Sequence, residues 1–509
     1  MAAFLGLDIG TSSVKAVLVD EAGAALAEAG RPLAVSRPRP LWSEQDPEDW
    51  WTAAREAVEA VRAAAPQAWR ELAAIGLSGQ MHGATLLDGA GRPLRPAILW
   101  NDGRCAAECA ELERRVPRFR ARASNVAMPG FTAPKLLWVA AHEPDIFAAT
   151  RMVLLPKDYV RFRLTGEFVG EMSDAAGTLW LDIARRRWDD ELLAACGLTS
   201  AQVPRLVEGS QVSGHLSPDL ARAWGLDGRA IPVAGGAGDN AASAIGIGAV
   251  APGDGFLSLG TSGVLFAATD GLRADPDRTL HAFCHALPEL WHVMAVTLAA
   301  ASALSWVAGL TGQGDDIPGL IARAEAFASD ESRRAAAPLF LPYLTGERTP
   351  HNDAGATGLF AGLRAEHGAD ALCHAVLEGV ALAFVDDLEV LRGADVALTS
   401  CMLVGGGSRS AFWAQLLADA LGIPLDRPAG AATGAATGAA RLAMLCVAPP
   451  ERMASICAKP PVERRFEPRQ ERHAEMKPRH DRFRELYRAE VATRPELPLS
   501  SPPSAGAKA

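Results

Sequence analysis

Apolar residues in this chain come in short runs that stop at glycine-rich or polar turns, interleaved with stretches of helical period. That pattern predicts a mixed α/β fold. The first run is Phe4-Leu5-Gly6-Leu7-Asp8-Ile9, followed by Gly10-Thr11-Ser12-Ser13 and then Val14-Lys15-Ala16-Val17-Leu18-Val19. It reads as strand, tight turn, strand, with Asp8 near the end of the first strand. A second copy lies in the other half of the chain: Leu257-Ser258-Leu259-Gly260-Thr261-Ser262-Gly263-Val264 repeats L-x-L, G-T-S-x-V, two residues shorter before the glycine and without the aspartate. Two copies predict duplication of one supersecondary unit.

Other runs end in the same way. Residues 72–78 read as a buried strand delivering Gly79-Gln80-Met81-His82-Gly83, and Ile98-Leu99 delivers Trp100-Asn101-Asp102-Gly103-Arg104. Residues 231–234 run into Gly235-Gly236-Ala237-Gly238-Asp239-Asn240, and residues 402–404 run into Gly405-Gly406-Gly407. Helices are predicted after the Asp46-Pro47-Glu48 start, with Trp50, Trp51, Ala54, Val58 and Val61 on one face. A Pro-initiated helix is predicted around Pro134, where Lys135 is read as structural, and a long amphipathic helix from Cys373 to Leu391. Two small-residue helices, one after Asp239 and one around Ala436-Thr437-Gly438-Ala439-Ala440, are expected to pack on each other across a domain interface.

At 509 residues the chain is long enough for two or three domains, and 49% hydrophobic with 22% charged residues is globular composition. A net charge of -10 argues against nucleic acid or an anionic membrane surface as a partner. It does not argue against ATP, whose phosphates meet only local groups. The N-terminus has no basic segment and meets Asp8 too soon for a signal peptide. Residues 293–314 are uncharged and are read as a buried strand entering a buried helix rather than a membrane span. The eight cysteines include no CxxC pair, which fits reduced thiols in a cytoplasm. Pro, Ser and Ala dominate from Ala489 onward, and a disordered tail is expected there.

The candidate chemistry sits in the turns. Hydroxyls and N–H groups of Thr11, Ser12 and Ser13 can cradle phosphate, and Asp8 beside phosphate calls for a divalent cation between them. The same residues also suit an ordinary hairpin whose aspartate caps a turn. Gln80 and His82 offer hydrogen bonds to a hydroxyl-rich ligand, with Met81 as an apolar wall. Trp100 and Asn101 can stack on and bond a sugar, or start a helix. Asp239 can present a base at a cleft mouth or cap its helix, and the two roles are compatible. The triple glycine can admit a flat adenine against backbone or simply make a tight turn. His281, Cys284 and His285 are read as packing rather than a metal cluster. Residues 344–350 are read as a polar loop after an apolar strand.

The segments Asp8-Ile9-Gly10-Thr11-Ser12 with Lys15, and Leu259-Gly260-Thr261-Ser262, resemble the two phosphate motifs of the FGGY family of sugar kinases, part of the actin, Hsp70 and hexokinase superfamily. Gly130-Phe131-Thr132-Ala133-Pro134-Lys135 and Gly358-Leu359-Phe360-Ala361-Gly362-Leu363 resemble that family's signatures, and the resemblance runs from Asp8 to about residue 490. Ser43-Glu44-Gln45-Asp46-Pro47, Gly79-Gln80-Met81-His82-Gly83-Ala84, Leu99-Trp100-Asn101-Asp102-Gly103-Arg104 and Ser173-Asp174-Ala175-Ala176-Gly177-Thr178 are similar to the xylulose-phosphorylating branch. One departure is Ala429-Gly430-Ala431-Ala432-Thr433, where the family often has Glu or Pro before its glycines.

The resemblance implies two ribonuclease H-like (actin-like ATPase) domains around a central cleft, at 1–245 and 246–490, with a tail at 491–509. It implies that ATP and Mg²⁺ act with D-xylulose in a cytoplasmic enzyme, and that the cleft closes on the sugar. Asp239 would be the base and Asp8 the metal-holding catalytic residue. Met81, His82, Trp100, Asn101, Asp239 and Asn240 would hold the sugar. Gly10, Thr11, Ser12, Lys15, Gly260, Thr261, Ser262, Gly406 and Gly407 would hold ATP. Ribulose, gluconate or glycerol are alternative substrates. A nucleotide switch without catalysis, or a sugar sensor without turnover, is a different class of reading. Oligomeric state stays open, with a homodimer as one option.

Overall fold

A computed structural model describes residues 2–430 and 434–494. Among these residues two seven-stranded sheets dominate, one in each half of the chain. The first contains β1 (Ala3–Ile9), β2 (Ser13–Asp20), β3 (Ala25–Pro32), β4 (Leu72–Gly79), β5 (Val212–His215) and β6 (Pro232–Ala234). Its strand order is β5-β6-β4-β1-β2-β3, and a short segment, Ala237–Gly238, also pairs with β4. The second contains β7 (Gly255–Leu259), β8 (Gly263–Thr269), β9 (His281–Cys284), β10 (Trp291–Thr297), β11 (Cys401–Val404), β12 (Leu425–Pro428) and β13 (Val462–Phe466), in the order β9-β10-β8-β7-β11-β12-β13.

The duplication predicted from the two hairpins extends through both sheets. Read from β3, the steps β3-β2-β1-β4-β6-β5 are antiparallel, antiparallel, parallel, parallel, antiparallel. The steps β10-β8-β7-β11-β12-β13 have the same senses in the same order. Each hairpin tip closes on its glycine N–H: Gly10 donates to the Ser13 carbonyl at 3.1 Å, and Gly260 donates to the Ser262 carbonyl at 3.1 Å, in a turn one residue shorter. The parallel strands are apolar on both faces because helices cover them.

The local signals account for the helices that cover the first sheet. Pro47–Ala64 starts with Asp46 accepting from the Glu48 N–H at 3.0 Å and Pro47 in the first turn. It buries Trp50, Trp51, Ala54, Val58 and Val61 against the strands, as the spacing predicts. Ala369–Gly393 runs through the core of the second half and is buried along most of its length.

The two halves meet through a helix of small residues, Ala435–Leu445, which belongs in sequence to the second half but lies on the first sheet. A methyl on Gly6 would sit 2.0 Å from the Ala436 carbonyl oxygen, and one on Gly76 would sit 1.9 Å from that of Ala439. On the helix itself, a methyl at Gly438 would sit 1.8 Å from the Ala242 carbonyl oxygen. The expected pairing with the helix after Asp239 is therefore present. The helix is in addition held backbone to backbone against β1 and β4.

The expected tail needs one correction. Gln470–Thr493 is a helix, so residues 491–493 complete it, and Arg494 pairs with Asp353 at 2.9 Å. Arginines along the same helix bond Glu378 and Asp386, which gives this polar segment its place. The tail from residue 495 and Ala431, Ala432 and Thr433 of the departing motif lie outside the described residues. Among the described residues no helix is long and apolar enough to cross a membrane. The uncharged stretch divides into β10 and the helix Ala301–Leu310, as expected. All eight cysteines are free and seven are buried.

Packing this close makes Gly438 intolerant of a methyl. Gly438→Ala is expected to cost about 3 kcal/mol or more in urea unfolding through overpacking against backbone. Gly309→Ala, where nothing lies within 4 Å, is expected to gain about 0.5–1 kcal/mol by helix propensity. Equal effects of the two substitutions would refute the wedge.

Candidate active site

A cavity of about 280 Å³ opens between the two halves. Met81, His82, Trp100, Asp239 and Asn240 line it from the first half, with Phe131 and Met128. Ser262, His281, Phe283 and Arg348 line it from the second. A larger groove of about 620 Å³ elsewhere on the second half brings together none of the sequence-predicted residues. Its arginines are largely spent on carboxylates, among them Arg469 on Asp419 and Arg334 on Glu475.

Asp239 is presented by a glycine turn after β6. Gly236 has φ +74°, and a methyl there would meet the Leu77 carbonyl oxygen at 2.2 Å, so only glycine fits. Ser173 Oγ accepts from the Gly238 N–H at 3.1 Å, and Arg161 donates to the Gly235 carbonyl. Behind them Lys157, wholly buried, bonds Asp174 at 2.6 Å and Asp158 at 2.9 Å and lies 3.2 Å from Glu171. Glu171 in turn caps the helix Met172–Ala176. The segments around Asp158 and Asp174 thus position Asp239 through its turn without touching the cavity.

Asp239 begins the helix Asp239–Ile247. Its Oδ1 accepts from the Asn240 backbone N–H at 2.8 Å and from Asn240 Nδ2 at 3.0 Å. No donor among the described residues bonds Oδ2. Burial, and next the negative charge of Asp8, push the Asp239 carboxyl up to about 7, against the two Asn240 bonds. A carboxyl with that pKa is a serviceable base at neutral pH.

Asp8 stands opposite Lys15 in the β1–β2 ladder. Its Oδ1 is buried and has no hydrogen-bond partner. Burial raises its pKa, while Ser78 and Lys15 pull the other way. A buried carboxylate oxygen left bare suits a cation. Among the described residues no group of three His, Cys, Asp or Glu side chains could hold a metal. A cation here would take one protein carboxylate and complete its shell with phosphate and water oxygens, which fits Mg²⁺ and not zinc.

The first hairpin tip is tied to the cavity wall. Trp100 Nε1 donates to Thr11 Oγ1 at 2.9 Å, and Thr11 Oγ1 donates to Gln80 Oε1 at 2.8 Å. Gln80 Nε2 and Trp50 Nε1 both donate to Gln45 Oε1 at 2.9 Å, and Gln45 Nε2 holds the Thr11 carbonyl at 2.7 Å. The one hydroxyl proton of Thr11 is spent on Gln80, so this residue can offer phosphate only its N–H. Gly10 and Ser12 lie at the same tip. At the second tip the Thr261 carbonyl accepts from the Ala300 N–H at 3.0 Å, and the Gly260 carbonyl accepts from the Ala301 N–H at 2.8 Å. Lys15 lines a separate opening with Asp8 and the start of the Ala435–Leu445 helix.

Of the triple glycine, Gly405 has φ +90° and would meet Leu259 backbone, and Gly407 would meet the Leu259 side chain. Gly406 faces open space, where a flat ring could lie. Asn101 is not brought into the site: it is exposed and absent from the cavity wall. Its neighbour Asp102 turns inward instead, accepting from the Ser43 N–H at 2.6 Å and pairing with Arg104 at 2.7 Å.

His82 has φ +69° and Nδ1 2.8 Å from the Gly177 carbonyl oxygen, so Nδ1 carries the proton. Burial, and next the charge of Lys135, hold its pKa down at about 3, leaving a neutral ring with Nε2 as an acceptor. Lys135 is itself buried and spends its ammonium on the His82 and Gly130 carbonyls, at 2.8 Å each, the structural role expected. Cys284 and His285 are packing residues, as read. His281 differs, because it faces the cavity and its Nε2 is buried without a partner. Sequence reading also passed over Arg348, whose only signal was a polar loop following an apolar strand.

Comparison with known proteins bears on the family and the fold. The model of the FGGY family of carbohydrate kinases matches in two parts, its N-terminal domain over residues 3–246 and its C-terminal domain over residues 255–446. The chain is 51% identical to a xylulose kinase of Escherichia coli (strain K12), over 95% of this chain and 98% of that one. It is 36% identical to a xylulose kinase of Bacillus subtilis (strain 168), over 82% of each. The crystal structure of a xyloylose kinase from Brucella ovis superposes with a TM-score of 0.91 at 51% identity, covering 96% of this chain and 99% of that one.

The electrostatics of the pair are open to direct measurement. In the ligand-free protein, carbon-13 NMR should find the Asp239 carboxyl titrating near pH 7. Asp8→Asn removes the neighbouring negative charge and should move that midpoint down. A wild-type midpoint near 4, the ordinary aspartate value, would refute the coupling.

Proposed function

The chain belongs to the FGGY family of carbohydrate kinases, and from that premise we infer that its cavity brings the 5-hydroxyl of D-xylulose to the γ-phosphorus of ATP. The products are D-xylulose 5-phosphate and ADP. The observation that carries the chemistry is the Asp239 carboxyl, held near 7 at the mouth of a largely apolar cavity.

A primary alcohol is a weak nucleophile at neutral pH. As its oxygen bonds to the γ-phosphorus and the bond to the ADP oxygen breaks, the hydroxyl proton passes to Asp239 Oδ2. The transition state is loose, so the proton need move only late, and much of the catalysis is alignment. Asn240 holds Oδ1 and thereby aims Oδ2. Neutral His82 accepts a sugar hydroxyl at Nε2, Met81 supplies an apolar wall, and Trp100 closes the side nearest the first hairpin.

Gly10, Thr11 and Ser12 hold phosphate from one side, and Gly260, Thr261 and Ser262 from the other, largely through N–H groups. Gly406 and Gly407 take the adenosine. Asp8 is the residue suited to hold Mg²⁺, with Lys15 beside it. When bound, the ion neutralises charge on the β- and γ-phosphates. Residues 1–245 and 246–490 act as the two bodies that close on the sugar and exclude water. We place the reaction in the cytoplasm, where ATP is available and the free cysteines stay reduced.

Coupled ADP release with Mg-ATP, with and without D-xylulose, tests this reading. D-xylulose is expected to stimulate turnover. Asp239→Asn should lower kcat by about 10³-fold, within the usual range for a general base, with a much smaller change in sugar affinity. Stimulation by ribulose, gluconate or glycerol but not D-xylulose would overturn the substrate and keep the mechanism. No stimulation by any of them would overturn the enzyme itself.

A further inference from the structure

The cavity wall holds a second histidine, and it comes from the other half of the chain. His281 opens β9, the edge strand of the second sheet, and stands opposite Met294 of β10. The outer side of that edge is closed by the Asn125 amide. Its Nδ2 donates to the Ala282 carbonyl at 2.9 Å, and its Oδ1 accepts from the Ala282 N–H at 3.2 Å. The backbone beside His281 is thus fixed by a buried side chain of the first half. Side chains alternate along a strand, so His281 and Phe283 share a face, and both line the cavity. Their rings stack at 13° with centres 5.9 Å apart. Phe131 of the first half lies 5.5 Å from His281, turned by 75°.

The two nitrogens of the His281 ring differ. Nε2 is sealed from solvent and has no hydrogen-bond partner. Nδ1 is not sealed, and no group among the described residues bonds it. Burial keeps the ring neutral, so it carries one proton. A buried N–H with nothing to accept it loses its one hydrogen bond outright and is the rarer defect, whereas a bare lone pair is met more often. The proton therefore sits on Nδ1, and His281 offers the cavity a donor. His82 is its complement: Nδ1 donates to the Gly177 carbonyl, which leaves Nε2 to accept. The two rings flank Phe131, with centres 4.8 Å and 5.5 Å from it. His292 on β10 is the packed case, with both nitrogens sealed and no share in the cavity wall.

We propose that His281 is a sugar-binding residue of the second half, donating from Nδ1 to a substrate oxygen while His82 accepts from a sugar hydroxyl at Nε2. This rests on the reading of the cavity as the sugar site. The pair divides the demand on the ligand. His82 needs a hydroxyl hydrogen, and His281 needs only a lone pair, which a hydroxyl or a ketone supplies. A pentulose carries an oxygen on every carbon and meets both. Because one ring belongs to each half of the chain, the same ligand ties the two bodies together across Phe131.

Two variants separate shape from hydrogen bonding, assayed by coupled ADP release with D-xylulose. His281→Phe keeps the flat ring and removes both nitrogens. His281→Asn gives up the ring but keeps an amide donor near the Nδ1 position. His281→Phe is expected to lose about 10–30-fold in kcat/KM for D-xylulose, mostly in KM, with the KM for ATP within about twofold of wild type, and His281→Asn to lose only about threefold. A ring that merely packs gives the opposite order, with Phe mild and Asn damaging. That order, or Asn no better than Phe, would overturn the proposal. Nitrogen-15 NMR of histidine-labelled wild type gives a second answer that needs no variant. Ligand-free His281 should carry its proton on Nδ1, and D-xylulose should shift that nitrogen. A proton on Nε2, or an unmoved Nδ1 in a protein that turns over D-xylulose, would overturn the proposal and leave the kinase reading standing. A wild type in which D-xylulose neither shifts the signal nor stimulates turnover would overturn the sugar-site reading itself.

Discussion

Backbone-to-backbone contact at Gly6, Gly76 and Gly438 is the constraint on which the rest of this structure depends. A helix normally keeps 8–10 Å from its neighbour because side chains stand between them. Here the Ala435–Leu445 helix has almost none to interpose, and the strands beneath it supply glycine where it crosses. The second half of the chain is thereby joined to the first along a line close to the ends of β1 and β4, which carry Asp8 and Gln80. The Asp239–Ile247 helix is pressed against the same wedge. One short contact therefore sets the relation between Asp8, Asp239 and the second half of the chain.

That placement brings two carboxyl groups, Asp8 and Asp239, into one poorly solvated region, where each disfavours ionisation of the other. The arrangement costs stability and raises the Asp239 pKa. The cost is contained by rigid support. Lys157 with Asp158, Glu171 and Asp174 forms a wholly buried ionic network that would be expensive to break at any one member. Its use is geometric, because through Ser173 and Arg161 it fixes the glycine turn that leads to Asp239. The tie from Trp50 through Gln45, Gln80 and Thr11 to Trp100 does the same for the first hairpin. Both supports lie in the first half, so Asp239 and the first hairpin are held within one body.

Much of this was legible because glycine and polar residues at strand ends have few physical explanations. The paired hairpins, the glycine turn before Asp239, the capped helix at Pro47 and the facing small-residue helices all rest on local patterns. What could not be read depends on distant partners. Asp239 has a raised pKa because Asp8, far away in sequence, is its neighbour. Asn101 looked as good a ligand as Trp100, and only the bonds from Asp102 to Ser43 and Arg104 turn it outward. The last helix has almost no apolar period, with Met476, His480 and Phe483 its buried residues, and it is held by arginine–carboxylate bonds that no pattern announces. Arg348 stood in a loop with no periodicity, and its place in the cavity wall comes from the packing of that loop on β10.

The duplication explains why the two halves divide the chemistry unequally. Both sheets kept the same strand senses, and each hairpin tip closes on its glycine N–H, across three residues in the first and two in the second. Their side chains have diverged. The first hairpin carries a carboxylate, which suits a cation beside phosphate, and the second carries none, which spares the phosphates a second repulsive charge. In the cavity wall the second half contributes the Arg348 guanidinium with His281 and Phe283, and the first contributes His82 and Phe131. A cavity lined from two related bodies can diverge in this way, because each body has to satisfy only its own local electrostatics.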